Sequence, residues 1–431
     1  MKLLNIVYVL IVALFVSSIL LLRTQLGSYT IFHPVFLILL ALFVLFPNKF
    51  PFNKVLKFDA IVYMLLIFDA FIIISYIGNI NNINLVIQTY ALNTGEHPSG
   101  LYYKIALNGL IYIAVVYLAY RLGKVFGTTK YNIQNICKVL TIICFINAFV
   151  NVIAWLISTH GIIGRYNFTP PLTLSPGISI QYSSLGFLLC LPIISKHKAG
   201  YKLYALLFIQ AILLLSILII QTRQSQITFV IMCVLYFALT IKFTIKKILV
   251  TIPFVLTGFI VIIVILAAIG SFDAYGTIDS AESTDVVIRV LMLQSAYGLF
   301  LANPVLGIGY GMFPGHNTTP IVVTGQDIYL GSPHNGLAAI VCELGLIGLL
   351  LYIILIISIT IKMNSIRKSI SQIELKKYVT AVFVFQFIMM MTFLISNSHL
   401  FGPPSEPPYL CMAFISWFMI GELIGTKQPV V

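Results

Sequence analysis

The sequence predicts an all-α polytopic membrane protein of about twelve transmembrane helices, with one large outward-facing loop between the ninth and the tenth. Three observations carry this. The chain has 431 residues, 60% hydrophobic and 9% charged, whereas a soluble domain carries about 25% charged residues. Its mean hydropathy is +1.04, so most of its surface must meet lipid rather than water. Apolar runs of about 20 residues, long enough to cross a ~30 Å hydrocarbon core as helices, recur from end to end.

In chain order, candidate spans fall at 3–22, 31–46, 59–78, 101–120, 139–158 and 178–194. The second half adds 203–220, 226–242, 248–269, 337–361, 378–396 and 407–424. The first run follows the pattern of a signal sequence but is longer than an ordinary apolar signal core. It has no small-residue cleavage site before Arg23 and is expected to be a retained helix. Residues 1–431 read as a single integral membrane domain, with no repeat at a solenoid period and no inverted repeat of the transporter kind.

Charge gives the expected orientation. One alternate set of loops holds Lys49, Lys54 and Lys57, then Arg121, Lys124, Lys130 and Lys138, then Lys196, Lys198 and Lys202. The same set continues with Lys242, Lys246 and Lys247, then Arg367, Lys368, Lys376 and Lys377. By the positive-inside rule these face the cytoplasm, as do both termini through Lys2 and Lys427. Arg23, Lys104, Arg165, Arg223 and Arg289 are left outside.

Several function classes are excluded at this point. The net charge of +13 is spread over short loops, not gathered into an aromatic-interleaved basic face, so nucleic acid is not a partner. The six cysteines lie in or beside apolar runs without a C-x-x-C pair, which argues against a zinc site or a disulfide framework. There is no D-x-D pair to hold pyrophosphate through magnesium. Asp279, Glu282 and Asp285 share a helix face and read as residues that complement the helix dipole rather than as metal ligands. No metal and no cofactor is expected.

Residues 270–336 form the long loop, the one outer segment with room for a site. Within it DSAESTDVVIRVLMLQSAYGLFLANP reads as an amphipathic helix of about five turns, capped by Asp and Ser and stopped by Asn303 and Pro304. GIGYGMFPGHNTTP reads as loop, and its Gly307, Gly309 and Gly311 as a flexible turn, since no strand precedes them as a dinucleotide fingerprint needs.

Three residues stand out chemically. Arg223, in the very short turn QTRQSQ, sits at an outer boundary where an arginine is costly. It is either a snorkelling lipid-headgroup contact or a phosphate clamp, because a guanidinium forks onto phosphate oxygens and keeps its charge. Arg289 on the loop helix is either solvated or, with the loop folded back on the bundle, a second cation for the same anion. His334, in GSPHNGLAAIVCELGLIGLL, is either a surface histidine or a general base, with Pro333 and Asn335 forming a turn before the span. Glu343 lies nine residues further on, inside the span, where a carboxylate needs a partner.

Together these stretches resemble the bacterial O-antigen ligase and O-antigen polymerase superfamily. TRQSQITFV is similar to its arginine motif, although Thr222 stands where that motif has serine. RVLMLQSAYGLFLANPVLGIGYGMF resembles its loop helix and Pro-x-x-Gly-x-Gly turn. SPHNGLAAIVCELGLIGLL resembles its His-Asn motif leading into a Glu-x-Gly-x-x-Gly span. The resemblance covers residues 220–350 and implies a metal-independent glycosyltransferase of the bacterial cytoplasmic membrane, with its site on the outer face. It implies transfer of a glycan from undecaprenyl pyrophosphate to an acceptor sugar hydroxyl. His334 would then be catalytic, Arg223 and Arg289 would bind pyrophosphate with Arg165 as a further cation, and Asn335 and Glu343 would support them.

The sequence favours a polymerase of lipid-linked repeat units, for O-antigen, capsule or exopolysaccharide. A ligase onto lipid A-core sugars stays open, as does a flippase or transporter of a lipid-linked glycan. The expected partners are the undecaprenyl-pyrophosphate glycan, membrane lipid and, as a candidate, a chain-length regulator.

Overall fold

The computed structural model describes residues 2–19, 32–45, 59–79, 114–127, 133–159, 170–172, 176–197, 199–220 and 223–240 in the first half. It continues with 280–310, 312–316, 321–323, 326–328, 335–395 and 407–426, plus a few isolated positions between 81 and 88. The expected span at 248–269 lies outside these residues, and only the end of the one at 101–120 falls within them.

The described helices follow the apolar runs. They are α1 (Lys2–Ile19), α2 (Phe32–Leu45), α3 (Ala60–Gly78), α4 (114–126), α5 (Ile133–Thr159) and α6 (Pro176–Ile194). After these come α7 (Tyr201–Ile219), α8 (Arg223–Thr240), α9 (Ser280–Ala302), α10 (Gly336–Ser369), α11 (Ile373–Ile395) and α12 (Pro407–Gly425). Among the described residues, α5, α6, α7, α10 and α11 are long and apolar enough to cross a membrane. The stretch read as loop, GIGYGMFPGHNTTP, contains a 3-10 turn, Phe313–His316, and after it the long loop 270–336 holds a small antiparallel hairpin, β1 (Ile321–Val323) on β2 (Gln326–Ile328).

The bundle is organised around α11, which packs against α5, α6, α8, α10 and α12. Residues 378–386 of this helix are buried without a break, so its apolar character on all sides is used by protein neighbours. By contrast α7 packs on α5 and α6 and leaves Tyr204, Leu207 and Phe208 exposed, as a helix facing lipid should.

Where hydrophobic burial offers little between helices in lipid, close backbone approach substitutes for it. Gly123 and Gly127 at the end of α4 face the main chain of Phe418 and Glu422 on α12, while Gly421 and Gly425 of α12 face the main chain of Tyr120 and Lys124. Two small-x-x-x-small stripes thus cross, and a methyl group on any of the four would meet backbone. At the same level Asp59 caps α3, its Oδ1 accepting from Val62 N–H at 3.0 Å. Its Oδ2 accepts from Lys124 Nζ and from the Tyr120 hydroxyl, both at 2.7 Å. This carboxylate ties α3 to α4 at the end where α4 crosses α12.

Candidate functional site

The site region is built on a break in a helix. α10 is 34 residues long, about 50 Å at 1.5 Å per residue, against a hydrocarbon core of ~30 Å. Inside it Gly345 adopts φ 64° and ψ −163°, a conformation open essentially to glycine alone. The break removes the bonds that Leu346 and Ile347 N–H would make to the carbonyls of Cys342 and Glu343.

The turn after α9 replaces them on both sides. Leu346 N–H donates to Pro304 O at 2.9 Å and Ile347 N–H to Val305 O at 3.3 Å. In return Ile308 N–H donates to Cys342 O at 2.9 Å and Gly309 N–H to Glu343 O at 3.0 Å. Two amides and two carbonyls of the helix are therefore satisfied by two carbonyls and two amides of the turn, as buried backbone requires.

Gly307 and Gly309, two of the three glycines expected to make a flexible turn, have a different role, while Gly311 lies outside the described residues. Gly307 (φ 71°) lies against the main chain of Glu343 and Leu344, Gly309 (φ 105°) against the Asn79 side chain, and Gly345 against the main chain of Val305. Gly307 and Gly345 share backbone contact that a Cβ would block and Gly309 lies as close to a side chain, so the turn is packed tightly there.

Glu343 has its partner here: Oε1 accepts from Phe313 N–H at 3.3 Å, and the residue is buried. Beside the turn, α9 lies along the first turns of α10. Met292 and Ala296 of α9 join Ile308, Met312, Phe313 and Cys342 in one apolar cluster, with Ala338 packed on it. The expected loop helix is thus present, and its 23 residues give about six turns rather than five. Arg289 stands one turn before Met292 and is exposed.

Asn335 is the N-cap of α10, its Oδ1 accepting from Ala338 N–H at 2.9 Å. Arg223 is the first residue of α8; its side chain lies outside the described residues. One turn into α8, Gln226 Nε2 donates to Ile217 O at the end of α7 at 3.2 Å, and α8 packs on α6 and α11. His334 and Arg165 lie outside the described residues, as do the side chains of Asp279, Glu282 and Asp285. Among the described residues no group of three or more His, Cys, Asp or Glu could hold a metal ion.

Three further polar residues belong to this region and were not singled out by the sequence reading. His316 closes the 3-10 turn; it is exposed, and partial desolvation pulls its imidazole below the ordinary value. Tyr310 packs on the main core at the tip of the turn; burial, with the charges of Glu343 and Asp69, pushes its phenol well up. Asp69, buried on α3, had a signal in the sequence: it is an aspartate inside an apolar span.

In a comparison with protein families, residues 208–353 match the model described as O-Antigen ligase. The match covers about a third of the chain and takes in Arg223, Arg289, His334, Asn335 and Glu343. The resemblance to the O-antigen ligase and polymerase superfamily is thus borne out on the stretch that carries its motifs. The comparison with curated proteins gives no match.

Proposed function

We propose that this chain is a membrane glycosyltransferase that joins lipid-linked glycan units, taking a glycan from undecaprenyl pyrophosphate to an acceptor sugar hydroxyl at the outer face of the bacterial cytoplasmic membrane. The observation that carries this reading is the docking of α9, with Arg289, along the first turns of α10, directly after His334. The resemblance to the O-antigen ligase and polymerase superfamily then implies the roles. Arg223 and Arg289, with Arg165 as a third cation, bind the pyrophosphate and stabilise the charge that develops on the leaving phosphate oxygen. No metal ion is needed for that task.

In the transfer step the acceptor oxygen attacks the anomeric carbon. The bond from that carbon to the phosphate oxygen breaks, and the acceptor's proton passes to the His334 imidazole. The pyrophosphate leaves with the electron pair of the broken bond. Asn335 fixes the start of α10 next to His334, and Glu343 fixes the turn that follows the Arg289 helix. The positive-inside rule supports reading both termini as cytoplasmic and this region as outside.

We read the acceptor as another lipid-linked repeat unit, so that the product lengthens and a chain-length regulator is a natural partner. A ligase onto lipid A-core is the second reading, favoured by the description of the matching family model. The test is alanine replacement of Arg223, Arg289 and His334 one at a time, with the cellular glycan resolved by length. Short-chain glycan that persists while long chains vanish supports the polymerase. Full-length glycan that stays on its lipid carrier supports the ligase. Donor that accumulates on the cytoplasmic side indicates a flippase and overturns both, as does an unchanged ladder in all three variants.

A further inference from the structure

The helix α9 is apolar on both of its faces. Inward, Met292 and Ala296 join the cluster on α10, with Ile288, Leu299 and Phe300 packed against it. Outward, Val287, Val290, Leu293, Tyr297 and Leu301 are exposed, with Tyr297 at 64% and Leu301 at 58%. At about 100° per residue these five cover one continuous arc of about 120°. Gln294 is the one polar residue inside the arc, and Gly298 at its margin faces open space. Arg289 stands just outside the other margin, where the exposed arc borders the buried face. A helix of a soluble protein turns polar residues to water, whereas one that is apolar all round is surrounded by protein or by lipid.

The surface beside the arc shows which. The turn after α9 carries two more exposed apolar residues, Val305 and Leu306. Its main chain is bonded to α10, Pro304 O accepting from Leu346 N–H at 2.9 Å and Val305 O from Ile347 N–H at 3.3 Å. Leu346 and Ile347 are exposed as well, and below them so are Leu350, Ile354, Ile357 and Ile361. These belong to a helix long and apolar enough to cross a membrane, and exposed apolar side chains on such a helix meet hydrocarbon. The apolar surface of α9 is thus continuous, through Val305 and Leu306, with the lipid face of α10.

Depth follows from the same helix. Arg367 and Lys368 close α10 at its charged end, and the roughly 20 residues that span hydrocarbon, counted back from there, reach Ile347. The turn is bonded to α10 at that level, so it sits at the far boundary of the hydrocarbon core. Residues Val287–Ala302 form an apolar stretch of 10–17 residues, at most about 25 Å of helix, too short to cross the core. The break at Gly345 frees the first turns of α10, on which α9 rests, from the axis of the span below.

We propose that α9 is an interfacial helix, its arc of Val290, Leu293, Tyr297 and Leu301 sunk among phospholipid acyl chains at the leaflet boundary and Arg289 held at the level of the phosphate headgroups. Apolar area buried in this way anchors a helix parallel to the membrane without a span. Tyr297, with an apolar ring and a polar tip, suits that depth, and the stem of Arg289 can lie along the acyl region while its guanidinium reaches phosphate. The leaflet is the outer one on the orientation proposed above. What the depth of Arg289 serves rests on the proposed function, since the pyrophosphate of a lipid-linked donor lies in the same layer; the embedding itself does not.

The experiment uses the full wild-type chain in nanodiscs of phosphatidylethanolamine and phosphatidylglycerol doped with a phospholipid that carries a diazirine on its acyl chain. After irradiation, lipid adducts are mapped on peptides. Embedding gives adducts on 287–306 as well as on 346–361. Adducts on 346–361 with none on 287–306 show that water or protein covers the arc, and overturn the proposal. L293E/L301E, which puts two charges into the arc, should lose the adducts on 287–306 and keep those on 346–361; adducts unchanged on both overturn it too. The wild-type map carries the test if the double variant does not fold.

Transfer assays separate this from the proposed function. With both readings correct, L293E/L301E raises the KM for the lipid-linked donor and R289A abolishes transfer. If the arc takes lipid adducts while R289A still transfers glycan, the interfacial helix stands and the proposed function falls. If the arc takes none, the interfacial helix falls whatever R289A does.

Discussion

Gly307 lies so close to the main chain of Glu343 that no side-chain carbon fits between them. The contact exists because the turn after α9 completes the hydrogen-bond ladder of α10 where Gly345 interrupts it. Alanine at Gly307 or Gly345 therefore meets both a backbone clash and a positive φ, at a cost of about 1–3 kcal/mol for the conformation alone. Gly298 on α9 has nothing within 4 Å of its missing Cβ, so alanine there gains about 1 kcal/mol of helix propensity or is neutral. Thermal unfolding in detergent should rank G298A at or above wild type and G307A and G345A well below it. Equal midpoints for all three would show that the turn is not packed as described.

Glu343 acts on the same turn through its side chain. Its Oε1 accepts the buried Phe313 N–H, a job that a glutamine oxygen can also do. E343Q is expected to unfold close to the wild-type temperature, whereas E343L leaves that amide without an acceptor and loses about 1–3 kcal/mol. A calorimetric scan of both variants decides it: if E343L is as stable as E343Q, the bond contributes nothing.

These two cases mark what the sequence could and could not disclose. Helix positions were legible because apolar runs and their stops are local: Asn303 and Pro304 were expected to end the loop helix, and α9 ends at Ala302. Ends were misjudged where a helix continues past its apolar part. α5 begins at Ile133 rather than 139, through Gln134, Asn135 and Lys138, and α10 runs on to Ser369 with Arg367 and Lys368 in its last turn. Charged residues there solvate a helix that the hydropathy pattern had already closed. The break at Gly345 was illegible in principle. Glu-Leu-Gly-Leu-Ile-Gly is an unremarkable helical sequence, and its partner, Pro304–Gly309, is some forty residues away in the chain. The family motifs did mark both glycine clusters, and the structure supplies the physical reason that pairs them. Asp69 was legible and was passed over, because a single acid in an otherwise apolar run does not alter a span assignment.

Asp59 supplies a dependence on pH. Burial pushes its carboxyl up, but the bonds from Lys124, Val62 N–H and Tyr120 outweigh it and hold the carboxyl below its ordinary value. A group depressed in the folded state adds stability above its unfolded pKa and loses it as pH falls through the folded one. The contribution should thus be complete above about pH 4, the ordinary aspartate range, and disappear below it. Unfolding temperatures of wild type and D59N measured from pH 6 to pH 3 should converge as pH falls. Parallel curves over that range would remove the Asp59–Lys124 tie from the account.

Asn335 allows the capping of α10 to be separated from the chemistry proposed for His334. Its Oδ1 caps α10 through Ala338 N–H, and the capping bond sets where the helix starts. Aspartate caps as well as asparagine, while alanine costs about 1 kcal/mol and lets the first turn fray. N335D should therefore keep both the unfolding temperature and glycan transfer, and N335A should lower the temperature slightly and, on the function proposed above, transfer by about tenfold, since the base proposed there would lose its alignment with the acceptor proton. H334A, in contrast, should abolish transfer at an unchanged unfolding temperature. A chromatographic assay of elongated lipid-linked glycan beside a melting curve reads both quantities on the same preparations. If N335D fails in transfer as badly as H334A while melting like wild type, Asn335 touches the substrate itself and its role is more than that of a cap.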